Sequence, residues 1–128
     1  DLGTIHCDRI KMEEVFVNLL HNAAKFSSKT GRAAEIEVGS LHTKDEYRFY
    51  VADKGIGIEA KFHEQIFGLF KRLHTQEEYE GTGTGLNIVK RVLEDHKGRV
   101  WVESELGKGA KFIFTIPRDL NADEEVTL

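Results

Sequence analysis

The sequence holds a single cysteine, Cys7, in 128 residues, so no internal disulfide can form and nothing asks for an oxidising compartment. It has no apolar run of about 18 residues and no leader-like start, which removes the sequence signals for a membrane span or for export. It also lacks an excess of basic charge. Eighteen Lys and Arg against 22 Asp and Glu leave a net charge of −4, the wrong sign for a general nucleic-acid binder that works by neutralising phosphates. The expectation is a cytoplasmic domain that contacts neither nucleic acid nor membrane. The chain opens at Asp1 without a methionine, as a piece of a longer protein would, so this placement concerns the domain alone.

What is present suffices for one domain with a true core. Asp8 is an N-cap for a helix to about Phe26, because Met12, Val15, Phe16, Leu19, Leu20, Ala23 and Phe26 recur at helical spacing. Residues 34–40 and 47–52 alternate apolar and polar, as two strands of a hairpin do. A short helix is expected around Ala60 to Phe67 and a longer one around Thr84 to His96. Val100 and Val102, then Phe112, Phe114 and Ile116, mark two further strands about a turn with Gly107 and Gly109; Trp101 reads as sheet core beside the phenylalanines. Runs of strands with few helices favour an α+β two-layer sandwich over a doubly wound parallel sheet. Residues 1–118 read as the domain and 119–128, with Asp119, Asp123, Glu124 and Glu125, as an acidic, solvated tail. The connection from Gly68 to Gly83 is long enough to suggest a functional loop.

Three stretches carry chemistry. In EGTGTGL, Gly81, Gly83 and Gly85 alternate just before a helix. Leu86 and Asn87 follow where a Walker loop needs lysine and a hydroxyl, so that mechanism is excluded. Glycines at a helix N-terminus still let a phosphate approach backbone N–H groups, with roughly 0.3 to 1 kcal/mol from the dipole. A flexible helix entry explains this stretch alone about as well. In VADKGIGIEA, Asp53 stands two residues before Gly55; a carboxylate there repels pyrophosphate but accepts from the exocyclic amine of adenine. An ordinary strand-ending turn is the competing explanation. In NLLHNAAKF, Asn18, Asn22 and Lys25 share one helical stripe, with Glu14 a turn before. That stripe is either a wet helix face or a place where an amide oxygen meets Mg²⁺ and an ammonium meets phosphate.

Taken in order, NLLHNAAKF, DKGIGI, IFGLFKR and GTGTGL resemble the catalytic and ATP-binding domain of sensor histidine kinases, within the GHKL superfamily that also holds gyrase-type and heat-shock chaperone ATPases. The likeness runs from about His6 to Pro117, and FKRLHTQEEYEGTGTGL is most similar to phytochrome-type kinases. It implies a mixed five-stranded sheet with three helices on one face, and ATP held between the asparagine helix and a lid. By that pattern Asn22 binds Mg²⁺, Asn18 orders phosphates and metal, and Lys25 contacts phosphate. Asp53 reads the adenine amine, with Gly55 and Gly57 giving close approach, and Phe26 and Ile56 are further expected nucleotide-binding residues. Phe67 and Phe70 anchor the lid, Arg72 reaches the γ-phosphate, and Gly81, Gly83 and Gly85 cradle the phosphates, with Thr82, Thr84 and Leu86 as further expected nucleotide-binding residues. Asn18, Lys25 and Arg72 are the expected catalytic residues.

The superfamily's ATPases carry a glutamate one turn before the metal-binding asparagine. Asn18 stands there instead and cannot take a proton, so hydrolysis should be slow and transfer to a better nucleophile favoured. No histidine lies in an H-E-x-x-x-P acceptor motif. The implied partners are therefore a histidine-containing dimerisation domain and, later, a response-regulator receiver aspartate. A degenerate ATP-binding scaffold and a self-contained ATPase stay open as alternatives. Three positions depart from the family pattern: Asn87 where a small residue is usual, Lys97 where glycine is common, and Ala110 where serine or threonine is frequent.

Overall fold

The structure is a computed structural model that describes residues 4–7, 9–28, 35–67, 85–118 and 124–127. Helix α1 spans Arg9–Ser28, and its buried stripe is the one that the spacing predicts: Met12, Val15, Leu19, Ala23 and Phe26. Leu20 departs from it and is 38% exposed, because 3.6-residue periodicity carries it about 100° past Leu19. Asp8, the expected cap, lies outside the described residues.

Strands β2 (Ile36–Ser40), β3 (Glu46–Asp53), β4 (Arg99–Ser104) and β5 (Ala110–Pro117) form one sheet in the order β2-β3-β5-β4. Every pairing in it is antiparallel. Strand alternation sends Tyr47, Phe49, Val51 and Asp53 to one face, and the register sets them against Ile116, Phe114, Phe112 and Ala110 of β5. Helix α1 and helix α2 (Gly85–Asp95) cover that face, and α2 contributes Leu86, Val89 and Leu93. Phe16 meets Phe49 and Phe114 edge-on at 5.8 and 5.3 Å, locking α1 to the middle strands. The result is the expected two-layer α/β sandwich.

Four expectations change in detail. Among the described residues the main sheet is four-stranded and wholly antiparallel, not mixed and five-stranded. A separate antiparallel pair joins β1 (Thr4–Cys7) to β6 (Glu124–Thr127), so part of the segment read as a solvated tail is a strand. The stretch expected as a short helix makes two 3₁₀ turns, Ala60–Phe62 and Gln65–Phe67. A run so short gains little from α-helical propagation, and 3₁₀ bonds such as His63 N–H to the Ala60 carbonyl close it instead. Trp101 lies on the face away from the helices, since period two separates it from Val100 and Val102. It rests there between the Arg48 and Arg99 guanidiniums, 5.5 and 5.0 Å from its ring.

Helix α2 ends in a Schellman motif: Gly98 N–H donates to the Leu93 carbonyl at 2.7 Å and Lys97 N–H to Glu94 at 2.9 Å. Lys97 occupies the left-handed position with φ 61°. Glycine takes that conformation without a Cβ penalty, which is the physical reason it is common there.

Candidate functional site

Helix α1 joins two walls. At its middle Asn18, half-buried, donates its Nδ2–H to the Glu14 carbonyl at 2.8 Å, and its Oδ1 faces the first residue of α2. A Cβ added at Gly85 would lie 3.0 Å from that oxygen, so glycine admits the amide. One turn further along, Asn22 is buried, and its Nδ2 has no hydrogen-bond partner. Beyond it, Phe26 is packed in the core while its backbone meets Gly55, where a Cβ would fall 2.7 Å from the Phe26 carbonyl carbon and oxygen. Gly55 is thus dictated by close approach of two backbones. Lys25 is half-buried on the same helix.

The second wall is the loop after β3. The Asp53 carboxylate is buried; its Oδ1 accepts from Gly55 N–H at 2.8 Å, and its Oδ2 has no partner. Burial pushes the Asp53 carboxyl above its ordinary value, while the Gly55 and Ala110 amides pull it partly back. Gly57, with φ 77°, turns the chain so that Ile56 packs on the core, and any side chain at Gly57 would strike the Glu105 carbonyl.

Sequence reasoning missed what holds this loop. Ser104 Oγ accepts from Ile58 N–H at 2.8 Å and donates to the Gly109 carbonyl at 2.6 Å. Gly107 N–H bonds the Ile56 carbonyl at 2.8 Å, and a side chain at Gly109 would collide with the Asp53 carbonyl. The β4–β5 turn is therefore a clamp on the Asp53 loop. Its only sequence signal was the pair of glycines, which an ordinary hairpin turn also explains.

Phe67 is buried, edge-on to Phe112 at 6.1 Å, and its carbonyl receives a long 3.4 Å contact from Asn87 Nδ2. Asn87, the odd residue of the first α2 turn, thus reaches the end of the second 3₁₀ turn. Leu86 is core. Phe70, Arg72, Gly81, Thr82, Gly83 and Thr84 lie outside the described residues.

Chemically, the two walls offer complementary ends for one elongated ligand. Asp53 presents a buried acceptor without a partner. The Asn22 amide presents one unpaired end, which serves a phosphate oxygen as nitrogen or a metal as oxygen, since a half-turn exchanges the two. A groove of about 750 Å³ also reaches Asp53, and Glu35, Lys54, Glu105 and Lys108 line it. Those charges already pair, Lys54 with Glu35 at 3.1 Å and Lys108 with Glu105 at 3.2 Å, so it is a poorer home for a nucleotide than the helix side.

Residues 7–120 match the family described as histidine kinase-, DNA gyrase B- and HSP90-like ATPase. The chain belongs to this family. Within it, the similarity is to histidine kinases. Cyanobacterial phytochrome A of Nostoc sp. is 48% identical over 116 residues, 91% of this chain and 15% of that protein. The adaptive-response sensory kinase SasA of Prochlorococcus marinus subsp. pastoris is 40% identical over 91% of this chain and 31% of its own length. Among solved structures, the catalytic domain of histidine kinase ThkA superposes with a TM-score of 0.73 at 34% identity, covering 89% of this chain and 70% of that one. Full-length ShkA in complex with AMPPNP gives 0.73 at 31% identity over 88% of this chain and 22% of its own. The chain thus spans less than a third of the curated relatives named, and it is similar to histidine kinase catalytic domains in fold and sequence alike. No described helix is long and apolar enough to cross a membrane.

Proposed function

We propose that this domain binds ATP with Mg²⁺ between α1 and the Asp53 loop and passes the γ-phosphoryl group to a histidine on a helical dimerisation domain of the same protein. One observation carries the reading. Two buried polar groups without partners, the Asn22 amide and Asp53 Oδ2, sit on the two elements that the Phe26–Gly55 contact brings together. A buried polar group left unpaired costs about 1–3 kcal/mol, so a ligand that pairs both recovers that cost. Adenine offers an amine to Asp53 while its phosphates extend toward the asparagine helix, where α2 begins.

Each residue then has a task. Asp53 accepts from the adenine amine, and Phe26, Ile56 and the glycines at 55 and 57 let the base approach. Asn22 holds the metal, Asn18 orders phosphates beside Gly85 and Leu86, and Lys25 contributes cationic charge. When bound, magnesium supplies charge neutralisation on the phosphate oxygens. Phe67, with Phe70, anchors the segment that carries Arg72 toward the γ-phosphate; Gly81, Thr82, Gly83 and Thr84 complete the phosphate cradle. The acceptor imidazole nitrogen attacks the γ-phosphorus, a P–N bond forms, the bond to the β–γ bridging oxygen breaks, ADP leaves and the imidazole proton passes to solvent. A receiver-domain aspartate takes the phosphoryl group afterwards. Such work belongs in the cytoplasm, where ATP is supplied.

Asn18 separates transfer from hydrolysis. Its Nδ2–H is committed to the Glu14 carbonyl, and a carboxamide cannot act as a base toward water. The test is incubation with Mg²⁺ and γ-labelled ATP, with and without a supplied histidine-bearing helical domain. Acid-labile, base-stable label on that domain with little free phosphate is expected; fast hydrolysis without acceptor overturns the kinase reading in favour of an ATPase. ATP binding without either product leaves only a nucleotide-binding scaffold.

A further inference from the structure

Strand β4 ends one side of the sheet, and among the described residues β5 is its sole strand partner. A free edge offers unpaired backbone N–H and C=O groups to another strand, and proteins blunt it with proline, with charges pointing inward or with a cover. The sequence of β4, RVWVES, holds no proline, and the residues that it turns to the helices, Val100, Val102 and Ser104, carry no charge. On the helix side a cavity of about 470 Å³ runs against it, lined by His63, Glu64, Phe67 and Lys90 as well as by β4 itself. The described residues leave that edge open. On the other face β4 carries Arg99, Trp101 and Glu103. Set antiparallel against a copy of itself about Trp101, the strand brings Arg99 opposite Glu103, Val100 opposite Val102 and Trp101 opposite Trp101. Opposite charges therefore meet twice, where like charges would guard an edge against its own copy. Strand β2, the other edge, has Glu37 as its one charged residue and offers no such match.

We infer that β4 is a self-association edge: two copies of the domain join antiparallel through it, about a two-fold axis at Trp101 perpendicular to the sheet. Such an axis keeps both helix layers on one side and makes the contact isologous. The charges are available for it. Arg99 is exposed, with its guanidinium 3.5 Å from Glu46 and 5.0 Å from the centre of the Trp101 ring. Glu103 is exposed and has no ion pair among the described residues, and its cross-strand neighbour Lys111 leans over the Tyr50 ring at 4.5 Å. The nucleotide elements stay clear of the axis, because Asp53 stands on β3, which β5 separates from β4, and Asn18 and Asn22 stand on α1. One strand pair buries less than the roughly 1,200 Å² of a stable interface between free partners, so isolated domains should pair weakly. In a dimeric parent protein, tethering at an effective concentration of about a millimolar populates the same contact.

Sedimentation equilibrium of the domain, carried up to about a millimolar, should show a monomer–dimer equilibrium. Arg99→Glu sets a carboxylate against the partner's Glu103, and Glu103→Arg sets a guanidinium against the partner's Arg99. Each should weaken the dimer roughly tenfold or more, since both symmetry-related pairs turn repulsive. An equimolar mixture of the two variants should dimerise again, because every opposed pair is then of opposite sign, and so should the double variant. Loss of fold in either variant could not produce that regain. A monomer at every concentration, a dimer that neither variant weakens, or variants that stay apart when mixed overturns the inference. So does a monomeric domain whose β4 amides gain protection from hydrogen exchange only in the full-length protein, since a strand from elsewhere then holds the edge.

Discussion

Replacing Asp53 by asparagine should stabilise the ligand-free domain while weakening ATP, and the two effects come from the same oxygen. Oδ1 accepts from Gly55 N–H, a bond an amide oxygen keeps; Oδ2 is buried without a partner. Burial raises the folded-state pKa above the ordinary 3.8, so between those values the folded protein holds more proton than the unfolded chain. Stability from this group therefore falls as pH rises through that window, and at pH 7 the full desolvation penalty of the anion is present. Asparagine removes the charge and leaves one neutral unpaired N–H. An unpaired buried group costs about 1–3 kcal/mol and more when charged, so a net gain of about 1 kcal/mol is expected. That is about 3–5 °C in the unfolding midpoint for a domain of this size. Against adenine the new N–H faces a donor, and the lost charge-assisted bond of about 1.5–3 kcal/mol weakens binding roughly 10- to 150-fold. Thermal unfolding with and without MgATP reads both. At a nucleotide concentration of about 100 times the parent dissociation constant, ligand adds about 2.7 kcal/mol to the parent but only about 0.6 kcal/mol to a variant binding about 50-fold more weakly. The advantage of the unliganded variant should vanish below pH 3.8. A lower unliganded midpoint at pH 7, or an undiminished ATP shift, refutes the reasoning.

Asn22→Ala should leave the fold within about 1 kcal/mol of the parent, because the amide lacks a protein partner on one side, while Mg²⁺-dependent ATP binding disappears; calorimetric titration with unchanged affinity would remove Asn22 from the site. Ala110→Ser should stabilise by about 1 kcal/mol at neutral pH, since Ala110 is the cross-strand partner of Asp53 and a hydroxyl there comes within reach of the orphan oxygen; a stability gain that persists at pH 3 would contradict this cause. Lys97→Gly should raise stability by about 1 kcal/mol in urea unfolding through relief of its left-handed backbone, with no change in nucleotide affinity.

Much of this architecture was legible because the period of its apolar residues is regular. Met12, Val15, Leu19 and Phe26 define α1, and the alternation of Tyr47, Phe49 and Val51 defines β3 and its buried face. The candidate site was legible through the joint order of its motifs, and the structure brings Phe26 to Gly55 and Asn18 to Gly85. What escaped depends on contacts between segments distant in sequence. Nothing local in residues 104–109 says that Ser104 will hold the backbone of Ile58, 46 positions away. The pairing of β1 with β6 is a contact between segments more than a hundred residues apart, and nothing in the acidic composition of residues 119–125 points to a strand. Trp101 turns away from the core because the period of its own strand outranks its size and hydrophobicity. Lys97 stands out in the sequence where glycine is common, and its φ supplies the reason.

The central claim is that Asn22 and the Asp53 loop hold the two ends of one MgATP. A ¹H–¹⁵N titration of the domain with a non-hydrolysable ATP analogue and Mg²⁺ tests it most directly. Saturable shifts concentrated at Asn18, Asn22, Gly55, Gly57 and Gly85, reduced by Asp53→Asn, are predicted. An absence of saturable change in folded protein, or shifts gathered on the far face of the sheet around Trp101 and Lys111, would contradict it.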